Sequence, residues 1–232
     1  MKEKNNLSIY LLVVVAALVI FNQYQIYSIG AVTGTGLAIK STSGKTNLFS
    51  GKELSSINID ELKSTGHSVA ALFPVEDIKT AQDAVDIIIP KGTPEYGAEM
   101  GVSFDEPVKA LADLSKAQRP LLASLTPEEK ERFLSIAGKP VGLSCEYCCG
   151  VGPIGIDKNG NSACGCQHNP AILAVTMWLI KNRPTMSDAE IIREGLKWKA
   201  LFFPKDMVNL AMKVAGGDTS SLKDLPGMVG GC

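Results

Sequence analysis

The chain is short of net charge, of aromatic residues and of histidine, and these shortages remove whole classes of function. Among its 232 residues, 23 Lys and Arg stand against 24 Asp and Glu, for a formal charge of −1. That balance gives no electrostatic footprint for a nucleic-acid partner. Histidine occurs only as His67 and His168. His67 stands alone in a mixed amphipathic segment, residues 59–73, and reads as a structural or surface residue. A phosphate loop is missing as well. Gly44-Lys45-Thr46 ends like one, but the motif's first glycine would fall where the chain has Ile39, and no strand leads into it. A calcium loop fails similarly. Asp157, Asn159 and Asn161 begin like one, yet Gly160 is out of place and the closing glutamate position is His168.

Long apolar runs are also scarce. Residues 7–21 are apolar except for Ser8 and Tyr10, which is shorter than the ~20 residues a bilayer span needs. Asn22, Gln23 and Gln25 behind them are uncharged, however, and Tyr24 and Tyr27 suit a membrane interface. Residues 7–26 are therefore expected to form an N-terminal transmembrane helix. Lys2 and Lys4 favour an N-terminus in the cytoplasm, with the rest of the chain outside. A cleavable signal peptide ending at Ser28-Ile29-Gly30 is the competing expectation.

Composition then divides the chain. A membrane anchor at 1–29 is followed by a flexible tether at 30–56, rich in Gly, Ser, Thr and Lys. A helical region at 57–140 precedes a Cys-rich knuckle with a helical hairpin at 141–215, and a mobile tail occupies 216–232. Helices are expected over 80–89, where Ala81, Ala84, Val85 and Ile88 share one side, and over 107–117. Residues 91–101 read as a loop. Thr126-Pro-Glu-Glu129 is a capping box with proline at the first helical position, and Gly138 ends that helix. Past the knuckle, Asn169 is expected to cap and Pro170 to open a helix reaching Asn182. Ser187-Asp-Ala-Glu190 is a second capping box whose helix stops at Pro204, and 205–214 add a short helix. Trp178 and Trp198 are expected to pack the helical pair. No catalytic constellation is visible in the helices before the knuckle.

What the chain does have is cysteine in one place. Cys145, Cys148, Cys149, Cys164 and Cys166 are five of its six cysteines, and His168 follows directly. The spacing reads C-x-x-C-C and then C-x-C-x-H. Between the halves, Asn159-Gly160 is a strong short hairpin signal, because both residues accept positive φ. A turn there would pair Cys164 with about Gly155, and extended alternation would put Cys164, Cys166 and His168 on one face. The expected fold is mainly α: a small helical domain with a central Cys-rich β-hairpin, a zinc-ribbon-like knuckle, behind an N-terminal transmembrane helix.

Thiolates at such spacing bind Zn, Cu(I) or an iron–sulfur cluster, since a tight turn presents two sulfurs to one ion. All five cysteines and His168 are candidate metal ligands, with Zn favoured and Cu(I) or an iron–sulfur cluster open. Cys145, Cys148, Cys164 and Cys166 are the first choice for a tetrahedral set. His168 would be a fifth ligand or a substitute. Cys149 is expected to point away from Cys148, as a bridging thiol or redox partner, and Cys232 to be a bystander. A helix beginning after His168 would stabilise thiolates by its partial positive charge. Two rival readings stay open: a thiol–disulfide oxidoreductase using Cys164 and Cys166 with His168 as base, and a disulfide-stapled interaction module. The balance favours a non-enzymatic protein with the membrane and an unidentified protein as partners.

Two resemblances follow from these motifs. Cys166-Gln-His-Asn before a helix, then Ser187-Asp-Ala-Glu-Ile before a second, resembles the three-helix domain of the periplasmic thiol oxidoreductases of cytochrome c maturation. That likeness implies a membrane-anchored dithiol, although Cys164-Gly-Cys166 stands where that family has C-x-x-C. The C-G-C step with a nearby histidine is similar to the cysteine-rich bacterial lipoproteins with a PCYCGC motif, which implies metal binding.

Overall fold

Helix starts in this chain are written in its capping residues. The computed structural model describes residues 53–217 and 228–230. Ser64 caps α1 (Thr65–Leu72) by accepting the His67 N–H, and Thr80 with Asp83 forms a capping box for α2 (Ala81–Ile88). A short turn, α3 (Gly97–Met100), interrupts the expected loop, and α4 spans Pro107–Ser124. The Thr126–Glu129 box opens α5 (Pro127–Ala137) with Pro127 at its first position. One turn of helix, α6 (Glu146–Cys149), opens the knuckle, and α7 (His168–Asn182) closes it. Ser187 and Glu190 box the start of α8 (Asp188–Phe202), and α9 covers Pro204–Val214.

Two prolines act differently from expectation. Pro120 sits inside α4, so the helix continues to Ser124 rather than ending near 117; the proline only removes the donor that would meet the Lys116 carbonyl. Pro204 is not merely a stop. Its fixed φ also starts α9, so that Phe203 ends one helix and flanks the next.

The core forms around α7. Ile172, Leu173, Ala174, Val175, Met177 and Leu179 are fully buried on every side of that helix. A helix apolar all round is stable only inside. Helices α4, α5 and α8 pack against it, while α9 packs on α1, α2 and α8. The tryptophans serve this packing through one tyrosine. Buried Trp198 donates its indole N–H to the Tyr96 hydroxyl at 2.9 Å, and half-buried Trp178 lies 6.0 Å from the Tyr96 ring. The Val229 N–H donates to the Phe202 carbonyl at 2.9 Å.

The described part is mainly helical, as expected, but the expectation of a central β-hairpin in it needs correcting. Among the described residues there is no strand or sheet, only an isolated antiparallel bridge between Ile156 and Ser162. The chain does reverse at Asn159-Gly160. Asp157 Oδ1 accepts the N–H groups of Asn159 and Asn161 at 2.8 and 2.9 Å, and Gly160 takes φ +86°. Pairing then stops, because Ser162 donates its hydroxyl to the Cys164 carbonyl at 2.7 Å and bends the arm away from extended conformation. The partner of Gly155 is Ala163, at 2.9 Å, not Cys164. The expected anchor at residues 7–26 and the expected tether as far as residue 52 lie outside the described residues; within the last part of the expected tether, Leu54–Ser56 form a 3-10 turn with Leu54 buried. Among the described residues no helix is long and apolar enough to cross a membrane.

Candidate functional site

Cys145 and Cys149 flank and end a single helical turn, so their spacing of four residues brings both sulfurs to one side. That turn is fixed by a buried charge. Lys199 of α8 is fully buried, and its Nζ donates to Glu146 Oε1 at 2.7 Å and to the Gly142 carbonyl at 2.9 Å. Thr65 donates its hydroxyl to the same Glu146 oxygen at 2.6 Å, and the Tyr147 ring centre lies 5.0 Å from the ammonium. Burial pushes the Lys199 pKa down, while the Glu146 carboxylate pulls it up and keeps the pair together.

Asn169 ties the two arms. Its Oδ1 accepts the Cys145 N–H at 3.2 Å, and its Nδ2 donates to the Gly155 carbonyl at 2.6 Å and the Ser162 hydroxyl at 2.7 Å. It lies inside α7 and does not cap it, contrary to expectation. Gly155 is required for this closeness, since a Cβ there would come within 2.5 Å of the Leu143 carbonyl and 2.6 Å of Asn169 Oδ1. Gly155→Ala is expected to destabilise the domain by about 2 kcal/mol or more, as overpacking does. A thermal melt compared with Gly165→Ala, where a Cβ meets open space, checks it.

The sulfurs converge. Cys149 and Cys164 form a disulfide, and the Cys145 and Cys166 sulfurs, both buried and free, are 3.3 Å apart. The sulfurs of Cys145, Cys149, Cys164 and Cys166 all lie within 4.8 Å of one another. Cys148 Sγ is 3.6 Å from Cys149 Sγ, and the sulfurs of Cys148 and Cys166 lie within 4.8 Å of each other and of a His168 ring nitrogen. His168 is fully buried. Its Nε2 is 2.8 Å from the Val229 carbonyl, and its Nδ1 has no hydrogen-bond partner among the described residues.

The two free thiols are shifted in opposite directions. The Cys145 thiol beside it pulls the Cys166 pKa down to about 4, with His168 and the N–H groups of Asn169 and His168 helping against burial. Cys145 is pushed up by the same contact with Cys166 and by burial. Cys166 is therefore the more acidic of the pair. His168 is raised from its ordinary value: burial lowers it, but Cys166 and the Val229 carbonyl outweigh that. With Cys149–Cys164 closed and no metal added, thiolate absorbance near 240 nm should persist at neutral pH and vanish as pH falls through about 4. Cys166→Ser should remove it, and absorbance lost near pH 9 would contradict the assignment.

The six candidate ligands thus gather at one place, but not in the expected grouping. Cys149, expected to point away, joins the four-sulfur set, and Cys148 lies with Cys166 and His168. The reason is the helical turn, which a reading of C-x-x-C-C as extended chain reverses. Cys232 lies outside the described residues. His67 is an exposed residue whose Nδ1 accepts the Lys63 N–H at 3.2 Å, a surface role. Sequence reasoning missed Lys199, Glu146 and Asn169. Lys199 had a signal, because it falls on the buried stripe of Ile192, Leu196 and Phe203 where a cation needs a partner. Comparison with family models, curated protein sequences and solved structures found no match to this chain.

Proposed function

We propose that this domain binds one soft metal ion, zinc first among the candidates, through Cys145, Cys149, Cys164 and Cys166. The observation that carries the reading is the mutual approach of these four sulfurs, from both arms, to within 4.8 Å. A tetrahedral set with metal–sulfur bonds of about 2.3 Å needs sulfurs about 3.8 Å apart, so the donors fit with small adjustments. Four thiolates around a divalent ion leave excess negative charge. The Lys199 ammonium near Cys145 and the start of α7 at Cys166 offset it. Ligation requires the Cys149–Cys164 bond to be open. An external dithiol would supply two electrons and two protons, giving two thiols that lose their protons on ligation. Metal-holding and oxidised chains are then alternative forms.

Counting thiols on anaerobically purified protein, before and after chelation, tests the reading. The four thiols should be masked until a chelator exposes them. Immediate reaction of all four without chelator, with an unchanged melting temperature after chelation, would overturn it.

One observation favours a second reading, thiol–disulfide exchange: a disulfide stands beside the Cys166 thiolate. Attack of the Cys166 sulfur on Cys164 would form a Cys164–Cys166 bond and release Cys149 as thiolate, with no net oxidation. In that case chelators would leave the thiol count unchanged. Burial of Cys145 and Cys166 weighs against a large disulfide substrate reaching them directly.

A further inference from the structure

A cleft of about 1000 Å³ opens beside the second arm, between α4, α5 and residues 161–170. Its volume falls at the upper end of the range for small-molecule sites. Cys164 and Cys166 form part of one wall, and Lys116, Arg119 and Lys130 line it together with Gln118. No Asp or Glu is among the lining residues. Among the described residues these three cations form no salt bridge; Asp113, one turn before Lys116, is paired with Lys109 at 2.9 Å.

A second feature is independent of the charges. Gln118 is only 4% exposed, and its amide nitrogen has no hydrogen-bond partner among the described residues. A buried amide without a partner costs roughly 1–3 kcal/mol, and an anionic acceptor in the cleft would satisfy it.

We infer that this cleft binds a small, multiply anionic ligand, with its carboxylates on Lys116, Arg119, Lys130 and Gln118. The inference rests on the cleft and is independent of the soft-metal reading above.

Glutathione, a tripeptide thiol with two carboxylates, serves as the probe, and S-methylglutathione keeps its charges without its thiol. Both are titrated calorimetrically, under anaerobic conditions, into the reduced full-length chain, whose metal content is measured on the same sample. Glutathione should bind with a dissociation constant on the order of millimolar or tighter. Lys116→Glu, Arg119→Glu and Lys130→Glu together should weaken it by roughly tenfold or more, with metal content and melting temperature unchanged. Gln118→Leu, which keeps volume and removes the amide, should weaken it with all three cations in place. Equal affinity in the wild type and the triple variant, or no binding at all, would overturn the proposal while a retained metal left the soft-metal reading intact. S-methylglutathione should bind as tightly as glutathione, and binding lost with the thiol would overturn the anion site.

Discussion

Replacing Lys199 by alanine should cost about 3–5 kcal/mol, the size of effect seen when one partner of a buried ion pair is removed. The ammonium is wholly inside, and its removal leaves Glu146 with only the Thr65 hydroxyl and the Gly142 carbonyl without its donor. Because Glu146 stands next to Cys145 in the chain, the damage falls on the turn that presents Cys145 and Cys149. Loss of the turn that carries Cys145 and Cys149 should precede global unfolding in a denaturant series, seen as early exposure of the Cys145 thiol. The double change Lys199→Met with Glu146→Gln removes both charges and should recover most of the loss, since apolar replacement of a buried pair is often neutral. A double variant as unstable as Lys199→Ala would mean that packing, not charge, holds the turn.

Asn169→Ala should be nearly as damaging, at about 2–4 kcal/mol. The Cys145 N–H loses its acceptor, whereas the Gly155 carbonyl keeps the Ala163 N–H and the Ser162 hydroxyl keeps the Cys164 carbonyl. One group is stranded and two are weakened. Asn169→Asp is the sharper probe. It preserves the acceptor for Cys145 but places a carboxylate oxygen 2.6 Å from the Gly155 carbonyl, beside the Cys166 thiolate, so it should be no better than alanine. Metal affinity should fall roughly tenfold or more in both, as it does when groups that orient ligands are lost. Melting temperatures and competitive metal titration check the two effects separately. A stable Asn169→Ala protein with wild-type affinity would show that the arms meet without the staple.

How much of this was legible in the sequence depends on the range of the interaction. Thr126 with Glu129 and Ser187 with Glu190 are local devices, complete within four residues, and the structure shows both boxes closed. The turn at Asn159-Gly160 was legible for the same reason. The choice between Cys148 and Cys149 was not, because it turns on whether the segment from Cys145 is helical or extended, and four residues carry too little periodicity to decide. Asn169 looked like a cap because asparagine before proline usually is one; its real partners, Cys145, Gly155 and Ser162, are distant in sequence. The β-hairpin failed at Ser162, where a hydroxyl competes with the ladder for the Cys164 carbonyl. The contacts of Val229 to Phe202 and His168 left no trace in the sequence, since they run through the Val229 backbone, which any residue would supply.

Cys145, Cys149, Cys164 and Cys166 are proposed to form one soft-metal site. Elemental analysis of anaerobically purified full-length protein, wild type beside single serine variants, tests it most directly. The wild type should carry about one equivalent of zinc, copper or iron per chain. Cys149→Ser and Cys166→Ser should lose it, and Cys148→Ser should retain it. A metal-free wild type, or metal lost in Cys148→Ser and kept in Cys149→Ser, would contradict the account.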